Sequence, residues 1–112
     1  MVQRGWGRII NVTGISARQP VDDLILSNAY RSAVVSLAKT LSRSLAPYHI
    51  TVNNVAAGTI LTDRVQELAE SRARAQSIDV EQAVTQLARE VPLGRLGTPE
   101  EFAAAVVFLA SE

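Results

Sequence analysis

Between Asn28 and Gly58 the chain reads NAYRSAVVSLAKTLSRSLAPYHITVNNVAAG, and the spacing of its apolar residues changes partway. Tyr30, Val34, Leu37, Leu41 and Leu45 recur every three or four positions, which predicts one buried stripe on a long helix. Ala29, Ala33, Ser36 and Ala38 place small side chains around that stripe and permit close packing. Ala46-Pro47 closes the helix, because proline cannot continue it and restricts the residue before it. Ile50, Val52 and Val55 then form a short β-branched run that stops at Ala56-Ala57-Gly58. The pattern predicts a helix over about Leu24–Ala46 and a strand over Ile50–Ala56.

Upstream, Arg8–Val12 is an apolar run after Gly5 and Gly7 and reads as a buried strand. Thr13–Asp23, with Gly14, Ser16, Pro20 and two aspartates, reads as a loop. Downstream, Thr62-Asp63 has the form of an N-cap followed by a first-turn acid, which predicts a helix from Asp63 into the 70s. Asp79 with Gln82 three residues later opens another helix that runs to about Glu90, where Val91-Pro92 breaks it. Leu93–Gly97 is a loop. Thr98-Pro99-Glu100-Glu101 combines a cap, a proline at the first helical position and a glutamate at the third. Phe102, Val106 and Leu109 then mark an apolar stripe up to Glu112.

Composition narrows the function classes. The 112 residues suffice for one small domain, and 47% are hydrophobic, which argues against disorder. A formal net charge of +0 argues against an electrostatic nucleic-acid binder. Without cysteine there are neither disulfides nor thiolate metal ligands, and no metal site is expected. No apolar run has the length of a membrane span, and MVQRGWGRII lacks a signal-peptide core, so a cytoplasmic protein is expected.

Strands separated by helices predict an α/β fold with a parallel sheet and crossovers. Two strands alone make an improbable complete sheet, because parallel sheets are normally covered on both faces. The expectation is therefore the later half of a larger, Rossmann-like doubly wound fold. Three segments carry a resemblance to the short-chain dehydrogenase/reductase family: GRIINVTG resembles its fifth strand, VNNVAAGTILTD its sixth strand and the following turn, and PLGRLGTPEEFAAAVVFLASE the approach to its last helix. Within the family the chain is most similar to 3-oxoacyl-carrier-protein reductases. The resemblance implies that residues 1–112 form a single partial domain. It would lack the N-terminal dinucleotide-binding half and the last strand, with Met1 an internal start or the chain a fragment of a longer product.

The resemblance also implies chemistry. The family moves a hydride between a nicotinamide, NAD or NADP, and an alcohol or ketone. It uses a tyrosine as acid/base, a lysine four residues later, and a serine thirteen residues before the tyrosine. These roles fall on Ser27, Arg31 and Gly14, and all three are substitutions. An aliphatic hydroxyl does not ionise usefully near neutral pH, a guanidinium is a rigid fork rather than a compact ammonium, and glycine offers no hydroxyl. Thr13 or Ser16 could supply the missing hydroxyl. Tyr30 is a candidate displaced proton donor, although Val34 rather than lysine stands four residues on and Lys39 lies over 10 Å along the axis, at about 1.5 Å per residue. The bland alternative for Tyr30 is a packing residue on the buried stripe.

Gly58, Ile60 and Thr62 match the turn that borders the nicotinamide in the family; the competing reading is an ordinary turn and helix cap. Asn53 and Asn54 are expected to satisfy strand-end backbone groups. Gly5-Trp6-Gly7 precedes a strand rather than following one, and is not a dinucleotide fingerprint. Asn11-Val12-Thr13 is formally a glycosylation sequon, discounted on a buried strand. His49 is expected at the surface, and Arg64, Arg72 and Arg74 alternating with Glu67 and Glu70 read as a solvated helix face. Two functions follow from different classes. One is an NAD(P)-dependent oxidoreductase of small carbonyl or alcohol compounds, impaired or inactive as this chain. The other is a non-catalytic Rossmann-type binding or partner subunit. A homo-oligomer is implied by the resemblance, with the long helix packing against its copy through Ala33, Leu37 and Leu41.

Overall fold

The computed structural model describes residues 1–22 and 24–112. Asp23, the far end of the expected Thr13–Asp23 loop, lies outside the described residues. The chain folds as two compact units, residues 1–57 with 104–112, and residues 58–103.

In the first unit, β1 (Gly7–Gly14) and β2 (Ile50–Ala57) pair in parallel, with Gly7 opposite Ile50 and Gly14 opposite Ala57. β1 is longer than the Arg8–Val12 run. Thr13 and Gly14, expected in a loop, continue the ladder opposite Ala56 and Ala57. Polarity hid this extension: the Thr13 side chain is buried, and its hydroxyl donates to the Val55 carbonyl at 3.5 Å. The crossover between the strands is α1 (Ile25–Leu45), followed by one 3-10 turn over Ala46–Tyr48 that contains Pro47. His49 leaves that turn exposed and with φ 55, and the chain enters β2.

The buried face of α1 differs from the expected stripe. Tyr30 is 71% exposed and Leu37 57% exposed, whereas Ala38 is buried. At about 100° per residue, Ser27, Arg31, Val34, Ala38, Leu41 and Leu45 share one face. Tyr30 and Leu37 lie about 60–80° to one side of Ser27 on the same wheel. The helix thus turns a small residue, with polar ones at its start, toward the sheet. The expected role of Tyr30 as a packing residue on the buried stripe is corrected accordingly.

The second unit contains α2 (Asp63–Gln76) and α3 (Val80–Arg89). Ala69 and Ala73 of α2 are buried with Ala83 and Leu87 of α3, and Val65, Ile78, Val80, Val84 and Leu96 surround them. Alanine at the contact lets two helices approach closely without filling volume with long side chains. Asp79 Oδ1 accepts from the Gln82 amide at 2.7 Å and satisfies one of the orphan donors that start α3. Thr62 precedes α2, but its hydroxyl donates to the Ile60 carbonyl at 3.3 Å instead of capping the helix. Arg72 is not simply solvated: it reaches Glu90, just beyond the end of α3, at 2.7 Å. Arg64 pairs with Glu67 on the exposed face, as the alternating charges suggested.

Residues 59–61 bridge to Gly97: the Leu61 amide donates to the Gly97 carbonyl at 2.8 Å and the Gly97 amide to the Thr59 carbonyl at 3.1 Å. A Cβ at Gly97 would stand 2.6 Å from Ile60 Cδ1, so any side chain there would displace the end of Ile60. α4 (Pro99–Ala110) opens with a reciprocal capping box. The Glu101 amide donates to Thr98 Oγ1 at 3.2 Å, and the Thr98 amide donates to Glu101 Oε2 at 2.9 Å. Phe102, Val106 and Leu109 are the half-buried positions of α4, and the helix ends at Ala110 rather than at Glu112.

Candidate active site

Gly14 at the end of β1 and Ser27 and Arg31 at the start of α1 come together across the loop that separates them in sequence. Ser27 and Arg31 stand four residues apart on α1, one above the other on the same face. Arg31 Nε donates to Ser27 Oγ at 3.0 Å. The guanidinium lies over the last residue of β1: a Cβ built on Gly14 would stand 3.1 Å from Arg31 Nη1, 3.3 Å from Cζ and 3.5 Å from Nε. The absent side chain at Gly14 is thus the space that Arg31 uses. Neither Nη1 nor Nη2 has a hydrogen-bond acceptor or carboxylate partner among the described residues.

The loop between β1 and α1 is tied down on both sides of this cluster. Ser32 Oγ donates to the Ala17 carbonyl at 3.1 Å. Asn28 Nδ2 donates to the Val21 carbonyl at 2.9 Å, and the Val21 amide donates back to Asn28 Oδ1 at 3.2 Å. Both Thr13 and Ser16 are buried beside the cluster, the first with its hydroxyl on Val55. Tyr30 stands on the exposed flank of α1 and makes no hydrogen bond to Gly14, Ser27 or Arg31. Asn54 and Asn53 bond other side chains rather than strand-end backbone: Asn11 Nδ2 donates to Asn54 Oδ1 at 3.1 Å, and Asn53 Nδ2 to Thr51 Oγ1 at 3.5 Å.

Gly58, Ile60 and Thr62 belong to the second unit. Space is open around Gly58, where an added Cβ would meet nothing within 4 Å. The bridge pairs Ile60 with Gly97 and leaves the Ile60 amide without a backbone acceptor among the described residues. Among the described residues no group of three or more His, Asp or Glu is placed to hold a metal ion. No helix among them is long and apolar enough to cross a membrane.

A family model described as enoyl-(acyl carrier protein) reductase matches residues 1–112. The chain belongs to the short-chain dehydrogenase/reductase family. The NADPH-dependent reductase BacG of Bacillus subtilis is 38% identical over 112 residues, which are 100% of this chain and 43% of the relative. The 3-oxoacyl-[acyl-carrier-protein] reductase FabG of Aquifex aeolicus is 32% identical over 112 residues, 100% of this chain and 41% of the relative. The L-sorbose reductase of Gluconobacter frateurii, solved with NADPH and L-sorbose, superposes with a TM-score of 0.92 at 33% identity; it matches 100% of this chain and 43% of its own. The chain therefore spans about two fifths of the length of these relatives.

A family-wide motif points to positions 14, 27 and 31 one at a time. Reading them singly misses that the three substitutions are mutually fitted: the arginine fills the place vacated at Gly14 and is anchored by Ser27. The signal in the sequence was a Ser/Arg pair at i, i+4 together with a glycine ending the preceding strand.

Proposed function

We propose that this chain belongs to an NAD(P)-dependent short-chain oxidoreductase of alcohol and ketone groups, similar to 3-oxoacyl reductases, in which proton transfer is impaired. The observation that carries this reading is the Gly14–Ser27–Arg31 cluster, in which Arg31 bonds Ser27 and lies over Gly14, with neither a phenol nor an ammonium among the three. In this reading Gly58, Ile60 and Thr62 border the nicotinamide, which when bound supplies or accepts the hydride. Arg31 places a fixed positive charge near an oxygen that gains negative charge, which stabilises an alkoxide electrostatically. A guanidinium is a hydrogen-bond donor and not a general acid. Ser27 can hydrogen-bond the same oxygen but is too weak an acid to protonate it quickly. The cluster therefore binds and polarises a carbonyl better than it completes its reduction.

The test uses a chimera in which residues 1–112 replace the matching segment of the A. aeolicus 3-oxoacyl reductase. It is expected to bind NADPH and to reduce a 3-oxo ester about 10²–10⁴-fold more slowly than that parent, the usual worth of general acid–base assistance. The 112-residue chain by itself is expected to show no saturable binding at micromolar NADPH, because neither of its strands leads through a glycine-rich turn into a helix N-terminus that could hold the pyrophosphate. A chimera with native-like circular dichroism and no affinity for either nicotinamide cofactor refutes the proposal. Cofactor binding with no turnover at all favours the non-catalytic partner subunit, a reading that the missing phenol supports.

A further inference from the structure

We infer that Arg31 is a carboxylate anchor, and that the site takes small oxo acids as free anions in preference to neutral ketones or esters. The inference rests on the oxidoreductase reading and deepens it by naming the substrate class. Three observations carry it. First, the guanidinium is directed by a hydrogen bond on its inner edge, Nε to Ser27 Oγ at 3.0 Å, which leaves the Nη1/Nη2 end as the available fork. That fork matches the two oxygens of a carboxylate in a planar, bidentate pair. Second, Arg31 is half-buried and its Nη atoms have no partner among the described residues, whereas the other half-buried arginines are engaged: Arg72 pairs with Glu90, and Arg8 donates to the Gly7 and Ser111 carbonyls. Third, the surroundings are fixed in advance. Gly14 leaves room for the guanidinium, and the loop beside it is bonded to α1 at Ala17 and Val21. A cation already held in place loses little side-chain freedom when a ligand arrives.

The chemistry of an oxo acid fits the pair. With the carboxylate on the Arg31 fork, the keto oxygen of a 2- or 3-oxo acid lies within reach of a neighbouring donor. Ser27, whose oxygen accepts from Nε, retains its O–H proton for that purpose. The two residues then recognise two different oxygens of one small anion. A neutral ester offers the fork no negative charge.

Equilibrium dialysis of the 112-residue chain against acetoacetate and against methyl acetoacetate, without cofactor, reads this preference whatever the assembly state. Acetoacetate is expected to bind about ten- to a hundredfold more tightly than the ester, the range of a charge-assisted hydrogen-bonded pair. Arg31→Gln is expected to bring the two within about twofold, and Ser27→Ala to weaken acetoacetate about fivefold by releasing Nε. Arg31→Lys keeps the charge without the fork and should fall between. It also serves if Arg31→Gln loses its helical circular dichroism. Arg43→Gln, in the last turn of α1, should leave the preference intact. Equal binding of acid and ester, no binding of acetoacetate, or a preference that survives loss of the Arg31 charge overturns the inference. Because no cofactor or turnover enters the measurement, absence of reductase activity in the chimera leaves this result standing and falls on the functional proposal alone.

Discussion

Restoring proton transfer requires three changes at once, and the geometry says why. Gly14→Ser places a Cβ 3.1 Å from Arg31 Nη1 and 3.3 Å from its Cζ, tighter than carbon ordinarily packs, and the hydroxyl extends beyond it. Nη1 is the far end of a long side chain, so the guanidinium swings away rather than the backbone moving. That motion strains the Nε–Ser27 bond, whose full loss would cost about 1 kcal/mol. Ser27→Tyr alone introduces a phenol while the guanidinium still occupies the space above Gly14. Arg31→Lys alone opens the space and leaves nothing to protonate the product. Each single change in the chimera is expected to alter turnover less than about tenfold, because residues that act as a unit are strongly non-additive. The combined Gly14→Ser, Ser27→Tyr and Arg31→Lys chimera is expected to gain about 10²–10⁴-fold. That corresponds to about 3–5 kcal/mol of barrier. The assay is NADPH consumption with a 3-oxo ester, at saturating cofactor. A triple variant that binds NADPH and gains nothing, or a single variant that delivers the whole gain, would show that these residues do not form the interlocked unit described.

Other consequences are open to direct measurement. Because Tyr30 stands on the exposed flank of α1, Tyr30→Phe is expected to change chimera turnover less than about twofold; abolished turnover would make Tyr30 the proton donor after all. Val12, Ile25, Leu26, Val107 and Phe108 are exposed in the isolated chain, which is expected to self-associate in sedimentation experiments. A monodisperse monomer with one sharp thermal transition contradicts that expectation. Glu101 is held down to a pKa of about 2 by its hydrogen bonds from the Arg95 side chain and then from the Thr98 amide. A carboxylate with a lowered folded-state pKa stabilises the fold above its ordinary value of about 4.3, and the contribution is lost as pH falls toward 2. Glu101→Gln should therefore flatten the acid dependence of α4 helicity between about pH 4 and 2. Equal acid dependence in both proteins would remove the capping box from that role.

The element order was largely readable from local signals. Pro47 marked the end of α1, Asp79 the start of α3, and Thr98 with Glu101 the start of α4; in each case the side chain acts on backbone a few residues away, so the sequence alone determines the outcome. The ends and faces of elements depended on distant partners. Thr13 and Gly14 became strand because Ala56 and Ala57 lie opposite them. Tyr30 and Leu37 lost the buried face of α1 to Ala38 and Arg31, because the sheet and the loop chose which side of the helix to meet, a choice that apolar period alone leaves open by about 60°. The site divides in the same way. The family resemblance picked out positions 14, 27 and 31 and implied what each lacks. Only the fold laid the Arg31 guanidinium over the bare Cα of Gly14, because a crossover helix returns its first turns to the end of the strand it follows. That meeting joins the three positions into one cluster.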